Sequence, residues 1–235
     1  MTCVPIALVA LSLALGGSQN TSPQDRITLG EVLVFRLSPE EPGQIPYVHV
    51  LKADRGSRQG HYLLLTTTET RADYQQRQPG AVGAAEYHLL SPERVGALPE
   101  VDVIGVHYVK VRPGRNEAFE RFVDQKLHPA VSNLRPDLRI LYYKPVGGET
   151  GGRYLAVFAL TKESRDKYWP AGSDSDELRA AFSPAVTELT TELRTYLVEG
   201  TYAADPKLAA AVFESREWTD FVLVSAGLPP PRRRF

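Results

Sequence analysis

From Gly30 onward the chain alternates short apolar runs with polar breaks that carry Gly, Pro, Asp or Ser. Runs rich in β-branched and aromatic residues with such boundaries read as strands. The pattern predicts strands at Gly30 to Leu37, Tyr47 to Lys52, His61 to Thr68, Glu86 to Leu90, Val103 to Val111, Leu138 to Lys144, Arg153 to Thr161, Thr195 to Tyr202 and Trp218 to Val224. Helical spacing is strongest after Pro113-Gly114. There Asn116 offers an N-cap, Glu117 and Glu120 suit the positive end of the helix dipole, and Ala118, Phe119, Phe122, Val123, Leu127 and Ala130 share one face. Pro129 is expected to end that helix, because its ring cannot continue the hydrogen-bond ladder. A short helix is expected at Lys162 to Trp169, with Ser91-Pro92-Glu93 starting another. A longer helix follows Asp174, with Glu177 placed as in a capping box, and is kinked at Pro184; a last, alanine-rich one starts at Asp205-Pro206.

Two segments repeat this pattern. Lys52 to Tyr62 (KADRGSRQGHY) and Lys144 to Tyr154 (KPVGGETGGRY) begin 92 residues apart, and each runs from a Lys through a Gly-containing turn to a Tyr. TETRADY (Thr68 to Tyr74) and KESRDKY (Lys162 to Tyr168) then each place a Tyr soon after a strand. A diverged repeat of a strand–hairpin–strand unit accounts for this; the resemblance of any two hairpins to one another is the alternative. The first copy has no room for the long helix between Leu37 and Tyr47.

The strand ending Val109-Lys110-Val111-Arg112, the Pro113-Gly114 turn, and the helix with Glu117, Phe119 and Phe122 resemble the opening of the dimeric α+β barrel group, which includes the antibiotic biosynthesis monooxygenase-like, EthD-like and NIPSNAP-like families. The resemblance covers roughly Val103 to Val224. It implies an α+β fold of ferredoxin-like βαββαβ units whose sheets pack into a barrel, either as an internal degenerate repeat or with a second copy of the chain. A homodimer is the partner it implies. Phe119, Phe122, His128 and Pro129 are also similar to a helix-terminal His-Pro motif of the EthD-like families, with the spacing to the aromatics shifted by about one residue.

Length and composition add the organisation. The chain has 235 residues, a formal net charge of −1 and 43% hydrophobic residues, which suits one large or two small domains and gives no nucleic-acid footprint. The run Val4 to Leu15 is too short to span a bilayer and suits a signal-peptide core, with Ala14-Leu15-Gly16 as its cleavage site. The n-region, Met1-Thr2-Cys3, lacks Lys and Arg. The expected division is 1–16 signal peptide, 17–29 flexible leader, 30–100 degenerate first half, 101–225 barrel half, and 226–235 basic tail. The location is then periplasmic or secreted, with no stable membrane insertion after cleavage. Cys3 is the single cysteine, so the mature chain has no disulfide or thiolate chemistry. Asn20-Thr21-Ser22 fits a glycosylation sequon by chance in so short a pattern.

Two histidines are candidate proton acceptors. His107 lies mid-strand and His128 ends the central helix; a hydrogen-bonded core histidine and a compensator of the helix terminus are the respective structural alternatives. Tyr108, Tyr142, Tyr143, Phe158 and Trp169 fall on or beside strands and are the candidate ligand-binding residues, with aromatic core packing as the alternative. No His-x-His or His-Glu-x-x-His pattern occurs, so no metal site is expected. The turn GGETGG has no following Lys-Ser/Thr, and there is no G-x-S-x-G elbow. The sequence leaves three functions open: a binding module for an apolar or aromatic small molecule, with haem as one candidate cofactor; a cofactor-independent monooxygenase-like enzyme with a His/Tyr-lined cavity; and a structural assembly domain.

Overall fold

The structure is a computed structural model that describes residues 26–42, 48–77, 83–131, 139–148, 150–170, 185–199 and 217–225. The run Val4 to Leu15, the Asn20 sequon, the helices expected from Asp174 to Pro184 and at Asp205, and the basic tail lie outside these residues. Among the described residues the strands are β1 (Ile27–Thr28), β2 (Val32–Ser38), β3 (His49–Gly56), β4 (Tyr62–Thr68), β5 (Ala85–Leu89), β6 (Glu100–Val101), β7 (Val103–Lys110), β8 (Arg139–Gly148), β9 (Arg153–Leu160) and β10 (Trp218–Ser225). The helices are α1 (Arg71–Arg77), α2 (Pro92–Val95), α3 (Asn116–Phe122), a π-helical turn Val123–Leu127, α4 (His128–Val131), α5 (Lys162–Tyr168) and α6 (Ala185–Tyr196).

Eight of these strands close into one antiparallel barrel in the order β10-β3-β4-β2-β5-β8-β9-β7. The expected α+β class, with ferredoxin-like units forming a dimeric α+β barrel, is thereby corrected. The described residues are mostly sheet, their helices are few and short, and the barrel is complete within one chain. The physical reason lies in the strand that ends each half. β5 pairs with β2 of its own half and with β8 of the other, and β10 pairs with both β7 and β3. Neither half keeps a free edge, so the two sheets merge into one wall. The hairpins repeat in register: His49↔Leu65, Val50↔Leu64 and Leu51↔Leu63 return 92 residues later as Leu141↔Val157, Tyr142↔Ala156 and Tyr143↔Leu155.

Alternation sends every second side chain inward. Leu33, Phe35, Leu51, Leu63, Leu65, Tyr87, Ile104, Val106, Tyr143, Leu155, Val157 and Phe221 fill the interior as one apolar cluster, in which each is buried. An eight-stranded barrel is just wide enough for its own side chains to fill it. One end is plugged by the β1–β6 ribbon, whose Ile27 and Val101 pair and join that cluster with Leu29 and Val95. The close of the expected flexible leader is therefore part of the core. Tyr143 anchors the region, its hydroxyl donating to the Gly30 carbonyl at 2.9 Å.

Outside, α3, the π-helical turn, α4 and α6 cover β7, β8 and β9, packing Phe119, Phe122, Val123, Leu127 and Leu193 on Val109, Tyr142, Tyr154 and Ala156. Two local expectations change here. Arg115, and not Asn116, occupies the N-cap, and it makes no side-chain cap bond. Pro129 does not end the helix, which runs on to Val131. Proline lacks the N–H for the i−4 bond and clashes with the carbonyl there, and the π-helical turn just before it shifts the ladder, with the His128 N–H reaching the Val123 carbonyl. The strand expected at Thr195 to Tyr202 also differs. α6 extends through Tyr196, and Leu197 makes only an isolated bridge to Val111.

Gly148 marks one seam. It pairs with Ala85 at φ +69°, and a Cβ there would overlap the Ala84 carbonyl oxygen. Gly148→Ala is expected to destabilise the protein by roughly 2 kcal/mol or more, because both backbone strain and a broken seam oppose it. A lowered urea midpoint at unchanged slope checks this.

Candidate functional site on the barrel wall

Strand alternation separates the candidate residues that the sequence brings together. Tyr108 and Tyr143 point into the filled barrel. Tyr142 points outward beneath the α3–α4 layer, where the ring of buried His128 stands 6.4 Å from it, edge to face. His107, Phe158 and Trp169 meet on a different part of the outer wall. The ring of His107 is 4.7 Å from that of Phe158 and 6.2 Å from that of Trp218, and Phe158 meets Trp169 edge to face at 5.7 Å.

His128 sits in a polar group at the end of β5. Ser91, in the left-handed region at φ 52°, donates to Asp124 at 2.6 Å, and the Arg94 Nε donates to the same oxygen at 2.6 Å. Burial and the nearby Arg94 hold the His128 imidazole below its ordinary value, against the opposing pull of Asp124 and Glu93. A neutral imidazole packed on a tyrosine ring pins the π-helical turn to the sheet. At the end of the barrel away from the β1–β6 ribbon, Arg153 stacks over the Tyr108 ring at 4.5 Å and pairs with Glu217 at 2.7 Å, while Arg58 reaches Glu217 at 3.1 Å. Burial pushes the Tyr108 hydroxyl up to about 12, opposed by Arg153, so it stays protonated at neutral pH and is no base.

The His107 cluster contains the feature that the sequence reading missed. Arg55, Asp220, Gly105 and Phe158 pair in turn across β3, β10, β7 and β9, and so form one row on the outer wall. Trp218 and His107 pair in the adjoining row. Gly105 leaves a gap in its row, and the Asp220 carboxylate leans into it. A Cβ on Gly105 would stand 3.0 Å from the Asp220 Oδ1 and 3.3 Å from the Phe158 Cβ. Asp220 is 9% exposed, and no hydrogen bond or ion pair from a described residue reaches its carboxylate. The neighbouring ions are already engaged. Arg165, on α5, binds Asp54 at 2.6 Å and Asp166 at 3.0 Å; Arg55 binds Asp166 at 3.2 Å and the Trp169 carbonyl at 2.8 Å.

Burial raises the Asp220 carboxyl from 3.8 to about 6, opposed by Arg165 and Arg55 and supported by Asp54 and Asp166. An unpaired acid that is nine-tenths buried among rings is costly to keep, and such groups gather at functional sites. Two signals pointed here: a glycine inside the β-branched run Val103 to Val111, and an aspartate inside the apolar strand Trp218 to Val224. Among the described residues no group of three His, Cys, Asp or Glu could hold a metal ion.

Compared with protein-family models, curated proteins and solved structures, the chain matches none. The reading of the site therefore rests on its own geometry. No described helix is long and apolar enough to cross a membrane.

Asp220→Asn tests the electrostatic account. A carboxyl with a folded value above its unfolded one binds more protons when folded, so its contribution falls as pH rises from about 4 to about 6. The rise from 3.8 to about 6 corresponds to roughly 3 kcal/mol at neutral pH as an upper bound. Asp220→Asn is expected to raise stability by about 1–3 kcal/mol at pH 7 and by little at pH 4. Thermal unfolding of both proteins across this window checks it. The difference between them cancels the opposite effect of half-buried His49 and buried His128, whose lowered values favour stability above their unfolded range.

Proposed function

We propose that this is an exported small-molecule-binding protein whose ligand, apolar or aromatic in body, sits on the outer wall against His107, Phe158, Trp169 and Trp218. The observation that carries the reading is the Asp220 carboxylate, nine-tenths buried beside those rings and reached by no hydrogen bond or ion pair from a described residue. The apolar side chains that fill the barrel support a ligand position on the outer wall over one inside the barrel. Export rests on the apolar run Val4 to Leu15. A structural assembly role is the second reading, favoured by that same filled interior. It leaves the Asp220 carboxylate unexplained.

Both tryptophans of the chain, Trp169 and Trp218, stand at this cluster, so intrinsic emission reports on it alone. Native mass spectrometry of the protein from its own host is expected to show a small mass that denaturation removes. The stripped protein is expected to show a saturable change in tryptophan emission on titration with an aromatic probe. A ligand-free spectrum, with emission unmoved by both quinoline and N-methylquinolinium, overturns the binding reading in favour of the structural one.

A further inference from the structure

We infer that the ligand of the wall site is a small organic cation, an alkylated ammonium group carried on an apolar or aromatic body, with its positive charge set against Asp220. This inference rests on the binding reading above and names the chemistry of its ligand. The charge balance among the described residues that face Asp220 from the packed elements supports it. On β3, Arg55 and Asp54 flank Asp220; on α5, Arg165 and Asp166 do so; on β7, the neighbour is His107. Arg165 is held by Asp54 and Asp166, and Arg55 by Asp166 and a backbone carbonyl. Two guanidiniums thus stand among three carboxylates, and the one left over is Asp220.

The surrounding chemistry decides what kind of cation fits. A hard, hydrated metal ion wants several oxygen ligands, and the described residues hold no such group. A soft ammonium carrying methyl groups gives up little hydration and is attracted to aromatic faces, with tryptophan the best of them. The half-buried Trp169 and Trp218 supply such faces, backed by buried Phe158, and the rings form a contiguous chain through His107. Gly105 contributes by omission: any side chain there would press on both Asp220 and Phe158. An anionic ligand would meet the excess carboxylate, and a neutral one would offer it at most a hydrogen bond and leave its charge uncompensated.

The test is calorimetric titration of the full chain at pH 7 with 3-hydroxyphenyltrimethylammonium and with its neutral isostere 3-tert-butylphenol. The cation is expected to bind about tenfold more tightly or better. That advantage is expected to vanish in Asp220→Asn, and to shrink about tenfold in wild type between pH 7 and pH 5 as the Asp220 carboxylate, raised to about 6, takes up its proton. Equal affinities for the two probes would overturn the cation inference while leaving the binding reading intact. No binding of either probe would overturn the cation inference, and the binding reading is then decided by the native mass spectrum and the emission titration. Should Asp220→Asn fail to fold, the pH dependence in wild type decides alone: an advantage unchanged at pH 5 counts against Asp220.

Discussion

Two antiparallel seams hold this molecule together, one between β5 and β8 and the other between β10 and β3. Each half of the chain brings a hairpin and its flanking strands, and on its own would leave rows of unpaired backbone groups at two edges. The seams remove all of them at once. That closure turns every second residue inward, sets the diameter, and leaves Leu, Val, Phe and Tyr side chains to fill the space. It also explains why Gly148 is glycine: a seam strand must pass against the Ala84 carbonyl without a side chain.

A filled interior changes where chemistry can sit. Of the three tyrosines that point inward, Tyr87 packs in the core, Tyr108 lies under the Arg153 guanidinium and Tyr143 bonds the Gly30 carbonyl. What remains for a ligand is the outer wall, and there the two halves are unequal. Over β7, β8 and β9 the long helical layer is apolar and tightly packed. Along the β3–β10 seam the wall instead carries ions and rings, with Arg55 from the first half and Asp220 from the second pairing across it. The candidate site is therefore a product of closure, since its row of residues spans both halves.

The barrel strands were legible in the sequence because alternation and turn residues fix them, whereas Thr195 to Tyr202 was misread and the short β1 and β6 were missed; the second hairpin was found where its pattern repeats the first. The class was not legible. The pairing of β5 and β10 with the opposite half depends on contacts distant in sequence, which no local pattern reports. At the site, His107, Phe158 and Trp169 were named from their chemistry, and the fold does bring them together. Tyr108 and Tyr143 were grouped with them, yet one residue of register carries a side chain to the other face of a sheet. Asp220 escaped notice since its meaning comes from what fails to reach it, and that is a property of three-dimensional packing. His128 and Pro129 drew attention as a helix end, where the chain instead makes a π-helical turn and continues.

The last strand gives the barrel a direction in time. β10 begins at Trp218, yet it is the only described strand that joins β7 to β3. Until the ribosome has released that segment, the wall stays open along its length, with β3 and β7 each exposing an edge. Chains of such long-range pairing fold slowly and are vulnerable while incomplete. Asp220 and Trp218 ride on this same strand, so the act that seals the barrel also delivers the carboxylate and one of the rings. A truncated chain would lack the candidate site and a closed fold for a single reason.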